Sequence, residues 1–312
     1  MAESFFASLR VVVPMIILML LGWISRTEGW ITRPSMKEFD RIIFRFFMPM
    51  LLFKNIYEMD FSQGFLVKEM IFAGISLLVI FIFCIYFPRL LTPDGNKSSV
   101  IGQAVGRGNY ILFGVAVTEA LYGEGSAGIV IMLGVLVIPA INIFAAVILE
   151  LNRSGKANFV KLFAAVLKNP MIIGAIFAFA FKILNLSLPS PVFATVRSVA
   201  NSTTTVSFIS LGVGLEMASG GDKKLLAWGI FLRMFLVPVI FMPVSILAGF
   251  RDQSLCAMMI IFAAPSAVAS YPMAVAMGAD GKLAGQLVCA TTVISVFTIF
   301  LWTLVLKIFG LM

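Results

Sequence analysis

Ten stretches of roughly 20 predominantly apolar residues fill almost all of this 312-residue chain. They lie near 9–24, 38–57, 67–90, 99–121, 126–150, 163–184, 192–216, 225–249, 254–277 and 283–309. About 20 such residues in helical form cross the hydrocarbon core of a bilayer. No backbone polar group can stay unpaired there, so a spanning segment must be a helix or part of a closed barrel. Period-2 alternation is absent, which excludes the barrel. Charged residues make up only 12% of the chain, about half the usual share for a globular protein. The expected fold class is therefore an all-α polytopic membrane protein with ten transmembrane helices. The connections leave no room for a soluble catalytic or nucleotide-binding domain.

One apolar pattern occurs twice. Pro14-Met15-Ile16-Ile17 opens the first stretch and Pro170-Met171-Ile172-Ile173 opens the sixth, at an offset of 156 (170 − 14). Phe113-Gly114-Val115-Ala116-Val117, followed by Gly125 and Gly128, parallels Tyr271-Pro272-Met273-Ala274-Val275, followed by Gly281 and Gly285, at nearly the same offset. Five stretches per copy is an odd number, so the second copy enters the bilayer from the opposite side. Inverted repeats of this kind are typical of alternating-access transporters. The expected organisation is a first five-helix repeat over 1–152, a cytoplasmic linker over 153–168 and a second, inverted repeat over 169–312.

The net charge of +8 is a topology signal and not a sign of nucleic-acid binding. Twelve Lys and Arg residues fall in connections 1–2, 3–4, 5–6, 7–8 and 9–10. The opposite side holds six: Arg10, Lys54, Lys68, Lys182, Arg251 and Lys307. The positive-inside rule then puts both termini outside the cytoplasm, in a plasma membrane. The first stretch lacks a small-residue cleavage site after its apolar run and reads as a retained helix. Cys84, Cys256 and Cys289 lie inside apolar stretches without metal or redox spacing and read as small buried hydrophobes. The chain has no histidine, which removes the commonest metal ligand and the usual proton shuttle. No cofactor is expected.

Two stretches are not lipid-grade throughout. The fourth contains Gly102-Gln103-Ala104-Val105-Gly106-Arg107-Gly108-Asn109-Tyr110, and the ninth contains Ala264-Pro265-Ser266-Ala267-Val268-Ala269-Ser270-Tyr271-Pro272. Arg107 lies about eight residues past Ser99, roughly 12 Å into a core of about 30 Å. Pro265 is similarly deep. Glycine lets a helix unwind and proline removes a backbone donor, so helices four and nine should both break near mid-membrane. The freed backbone groups must then line a cavity or pack on protein. Half-helix N-termini there favour anions.

Arg107 is the sharpest candidate, because a charge at that depth requires a compensating role. It binds solute, or it serves as a structural cation bonded to carbonyls or to Glu119. Asn109 either replaces a solute's water or caps a half-helix. Ser266, Ser270 and Tyr271 play the corresponding part in segment nine, unless the serines bond their own backbone. Gln103, Asn201 and Arg233 are secondary candidates. The short polar face of Asn201, Thr204 and Thr205 lines a path or glues helices together.

These residues resemble the auxin efflux carrier family. Its fourth-helix pattern Asn-x-x-x-x-Gly-x-Pro is met by Asn109 and Gly114, with Ala116 in place of the proline. Pro265-Ser266-Ala267, the turn Met277-Gly278-Ala279-Asp280, and Asn169-Pro170 match further family motifs. The resemblance spans essentially the whole chain. It implies two inverted five-helix repeats of the bile-acid symporter architecture, with helices four and nine crossing. Helices one, two, six and seven would form a scaffold, often dimeric, and the remainder a moving transport domain. Carboxylate-bearing solutes such as auxin or malate are implied. With Ala116 at the proline position, glycines must make the fourth-helix break, and Ala116→Pro should be tolerated if the helix is broken there.

The expected function is secondary transport of a small organic anion by alternating access. Arg107, Gly108 and Asn109 would form one wall of the site, and Pro265, Ser266, Ser270 and Tyr271 the other. Proton or sodium coupling and a homodimer are the accompanying partner expectations. A sodium-coupled symporter of the bile-acid type is the alternative, with Gln103 and Asn109 as its obvious cation ligands. An intramembrane enzyme is the distant alternative, since no His, no mid-membrane acid pair and no metal spacing supports one. A sensor or receptor without transport is the remaining one. Gly278-Ala279-Asp280-Gly281-Lys282 lacks the spacing of a phosphate-binding loop.

Overall fold

The computed structural model describes residues 2–58, 66–123, 126–154, 168, 170–184, 186–214 and 222–312. Most of the linker 153–168, Gly125, Asn169, Glu216 and the turn at 219–221 lie outside the described residues. The described residues are helical between short turns, with a single isolated β-bridge. Among the described residues, three helices are each long and apolar enough to cross a membrane alone: Val67–Leu91, Lys223–Leu247 and Gly281–Ile308.

The first helices are α1 (Ala2–Thr27), α2 (Arg33–Ile42) and α3 (Met48–Tyr57), the last two joined through a π-helical turn at Ile43–Phe47. There the Met48 amide reaches five residues back to Ile43, just before Pro49, which has no N–H to donate. Then come α4 (Val67–Leu91), α5 (Gly95–Gly106), α6 (Tyr110–Tyr122), α7 (Gly128–Ser154), α8 (Pro170–Ile183) and α9 (Ser190–Gly214). A second π-turn, Leu232–Leu236, joins α10 (Lys223–Phe231) to α11 (Val237–Leu247), again just before a proline, Pro238. The chain ends with α12 (Asp252–Ala263), α13 (Ser270–Ala276) and α14 (Gly281–Ile308).

Asp94, Asp222 and Asp280 start α5, α10 and α14 by accepting first-turn backbone N–H groups, as N-cap residues do. Leu255 through Ala264 are all buried, so α12 is apolar on every side and sits at the centre of the larger core. A second core joins α3, α7 and α8 around Leu52, Leu149 and Ala175. The outer surface is apolar instead of charged: Leu247 is 85% exposed, Leu90 81% and Ile183 76%. Apolar exposure on this scale needs lipid around it, and the chain is a multi-pass membrane protein.

Close backbone approaches lock the bundle. Gly22 of α1 and Gly212 of α9 face each other so closely that a Cβ on either would strike the opposite backbone. A Cβ on Gly102 would strike the Cys84 carbonyl of α4. Small residues at crossings allow such contact where lipid supplies no hydrophobic drive between helices.

Candidate functional site

Both expected breaks are present. Residues 107–109 separate α5 from α6, and residues 264–269 separate α12 from α13. The two breaks meet. Gly108 and Ser266 form the antiparallel bridge, with the Asn109 amide donating to the Pro265 carbonyl at 2.8 Å and the Ala267 amide to the Arg107 carbonyl at 2.9 Å. Breaking a helix frees polar groups that apolar surroundings penalise heavily, and here each break supplies the other's partners.

Four further carbonyls at these helix ends accept from side chains. Ser266 Oγ donates to the Ala104 carbonyl at 2.8 Å. Arg233, 1% exposed, donates from Nε to Ala264 at 2.7 Å, from Nη1 to Val105 at 2.9 Å and from Nη2 to Ile261 at 3.2 Å. One cation thus covers the C-terminal ends of both α5 and α12, where the helix dipole is negative. A side chain at position 108 would collide with its guanidinium, so glycine is required there by contact. Ala116 lies in the interior of α6, seven residues past the break (116 − 109). The break lies instead at 107–109, beside Gly106 and Gly108, where glycines were expected to make it, and the condition under which Ala116→Pro would be tolerated, a break at 116, is not met.

A cavity of about 260 Å³ opens beside the crossing. Its walls are Arg107–Leu112, Asn142 of α7, Ala267–Ala269, the Lys54 end of α3, and Asn201 and Thr204 of α9. Arg107 is 4% exposed. Its Nε and Nη2 both donate to Asn142 Oδ1, at 3.1 and 2.5 Å, and its Nη1 lies 3.5 Å from Ser270 Oγ. Asn142 is itself held by donating to the Ile138 carbonyl at 2.7 Å. Among the described residues the hydrogen-bond partners of Arg107 are therefore the neutral Asn142 and Ser270, and Glu119 is not one of them. Asn109 starts α6 without a side-chain cap bond, leaving its amide to the cavity. Across from it, Lys54 donates to Asn201 Oδ1 at 2.9 Å and lies 3.6 Å from Glu58, which also binds Arg197 at 2.7 Å.

Arg107, Gly108, Asn109 and Asn201 thus share this cavity. Ser270 touches it only through Arg107, and Pro265 and Ser266 are spent on joining the breaks. Tyr271 lines a different cavity, with Asp40 and Lys282. Arg233 lies behind the crossing. Gln103 is 1% exposed, with neither amide atom hydrogen-bonded in the protein. Residues 267–269 form the second wall, where side chains of 265, 266 and 271 were expected. Sequence reasoning passed over Asn142, Lys54 and Asn55. A lone amide in the apolar run Ala140-Ile141-Asn142-Ile143-Phe144 was a usable signal. Lys54 and Asn55, near a helix end, carried none.

An all-helical membrane chain with a polar cavity where two broken helices join has the form of a membrane carrier. A family model described as membrane transport protein matches residues 7–303. The chain belongs to that family, the auxin efflux carrier family. Among its relatives is the Uncharacterized transporter YfdV of Escherichia coli (strain K12), 23% identical over 269 residues, covering 81% of this chain and 83% of the relative. An Uncharacterized transporter of Methanothermobacter thermautotrophicus is 21% identical over 322 aligned positions, covering 97% and 99%.

Proposed function

We propose that this protein is a secondary transporter of a small organic anion, carboxylate-bearing and auxin- or malate-like, which binds in the cavity beside the crossing. The observation that carries this reading is the buried guanidinium of Arg107, which lines a solvent-sized space and, among the described residues, has only amide and hydroxyl partners. A buried cation without a counter-ion is costly, and an arriving carboxylate removes that cost with charge-assisted hydrogen bonds. The N-terminus of α6 adds partial positive charge on the same side. Arg233 neutralises the opposite, C-terminal ends, so the electrostatic signs are segregated across the crossing.

In this reading Arg107 binds the carboxylate, Asn109 and Asn142 replace its water, and Gly108 admits it close to the backbone. Asn55, Lys54, Asn201 and Thr204 face it from the other wall. The ten segments form two inverted five-helix repeats in a plasma membrane, with both termini outside the cytoplasm. Helices α4–α7 and α10–α14 move as the transport unit against α1–α3, α8 and α9, in a homodimer. Packing supports that division: α1 lies along α9, and α3 lies on α8 and α9, while α5 is held by α4 and α7. The cavity falls on the boundary between the two groups.

Uptake by purified protein in proteoliposomes tests this, with labelled malate as the probe. Arg107→Ala should lower uptake by about two orders of magnitude, as expected for losing a buried charge-assisted contact, while leaving the protein monodisperse. Undiminished uptake would remove Arg107 from the site.

A further inference from the structure

A second cavity, of about 320 Å³, lies on the same boundary at its other end, lined by Met36, Asp40, Val213, Gly214, Tyr271 and Lys282 among others. Asp40 and Lys54 are 14 positions apart on one continuous helix (54 − 40), roughly 21 Å at 1.5 Å per residue. Between the two cavities the boundary is shut by Ile43, Phe44, Met48 and Met273, all buried. The two spaces are thus opposite ends of one interface, and the first takes an anion while the second presents a carboxyl group.

Asp40 is 1% exposed and accepts one hydrogen bond, from Ser210 Oγ of α9. It has no ion pair. On its own helix the neighbouring charges Glu38 and Arg41 pair with each other at 2.8 Å on the exposed face. Of the described titratable groups facing it from packed elements, Tyr271 of α13 and Lys282 of α14 line its cavity. Asp280 is occupied in capping α14. A carboxylate so enclosed has one donor where it could accept several, whereas a neutral acid needs no counter-charge to stay there.

We propose that Asp40 is a proton-binding site of this transporter. A proton taken up on its carboxylate oxygen lets the interface between α2, α9 and α13 close around a neutral group. Release of that proton to water in the second cavity accompanies reopening. The carboxylate and the acid differ by that one O–H bond, and no other reactant is needed. A metal cation fits poorly, because it requires several oxygen ligands and Lys282 lines the same space. The coupling of this proton to anion movement rests on the transport reading above; the proton site itself does not.

Infrared pH-difference spectra of the full-length protein in liposomes test the site without any solute. Lowering the pH from about 8 to about 5 spans the interval in which perturbed carboxyls titrate. A protonated-carboxyl band should grow in the wild type, and Asp40→Asn should remove one component of it. Ser210→Ala, which keeps the acid, should retain that component. Identical wild-type and Asp40→Asn spectra would overturn the proposal, whatever the transport assay gives. In proteoliposomes, a pH gradient should accelerate net malate uptake by wild type and not by Asp40→Asn, while exchange at equal pH persists in both. Parallel loss of both activities would assign Asp40 a merely structural role and overturn its coupling to transport.

Discussion

Arg233 lies against Gly108 so closely that no Cβ fits between them. The same guanidinium holds Val105 on α5, Ile261 on α12 and Ala264 just past its end, so one side chain ties the ends of two broken helices. Gly108→Ala must displace it, and Arg233→Met leaves three buried carbonyls with no donor, each costing about 1–3 kcal/mol. Both variants should lower the thermal midpoint of the detergent-solubilised protein markedly. Wild-type stability in both would show that the contact carries little.

Asn142 offers a cleaner test of the anion site than deleting Arg107. Asn142→Asp replaces a neutral acceptor with a carboxylate about 3 Å from the guanidinium. At an effective dielectric constant near 20 such a pair attracts by about 5 kcal/mol. That internal counter-ion competes with the solute, so the Kd for malate should rise about tenfold or more while the fold is retained. Unchanged affinity would mean that solute does not meet Arg107.

Lys54 lines the opposite wall, and its side chain is 20% exposed. Glu58 at 3.6 Å already offsets part of its charge, so Lys54→Gln should weaken malate binding only a few-fold, and the loss should shrink as salt is raised. A loss independent of ionic strength would point to packing instead of charge.

Ala116→Pro places a proline in the interior of α6, where it removes one helical hydrogen bond and clashes with the preceding turn, at a cost of about 3 kcal/mol. The variant should lose stability measurable by thermal denaturation. A neutral outcome would mean that α6 is already open near Ala116.

Both breaks were legible because glycine, proline and polar residues stand out in runs that are otherwise lipid-grade. Gly106, Gly108 and Pro265 are local signals, and a local rule suffices to read them. Which side chains face the cavity was less legible. Arg107 and Arg233 look alike in sequence, each a cation about a third to halfway along an apolar stretch. Only the fold turns one toward a space and the other onto carbonyls. Asn142 and Lys54 occupy unbroken helices, so their roles depend on which neighbours the tertiary packing brings, and periodicity says nothing of that. The π-turns before Pro49 and Pro238 were missed because a proline in an apolar run suggests a kink without specifying how the ladder adjusts.

The two amide-to-carbonyl contacts that fasten Asn109 to Pro265 and Ala267 to Arg107 use main-chain atoms only. Holding that junction together therefore asks little of the side chains at 109 and 267, nor of their neighbours 268 and 269. A change of side chain there would leave these main-chain contacts in place, so the joint and the lining of the cavity beside it can vary separately.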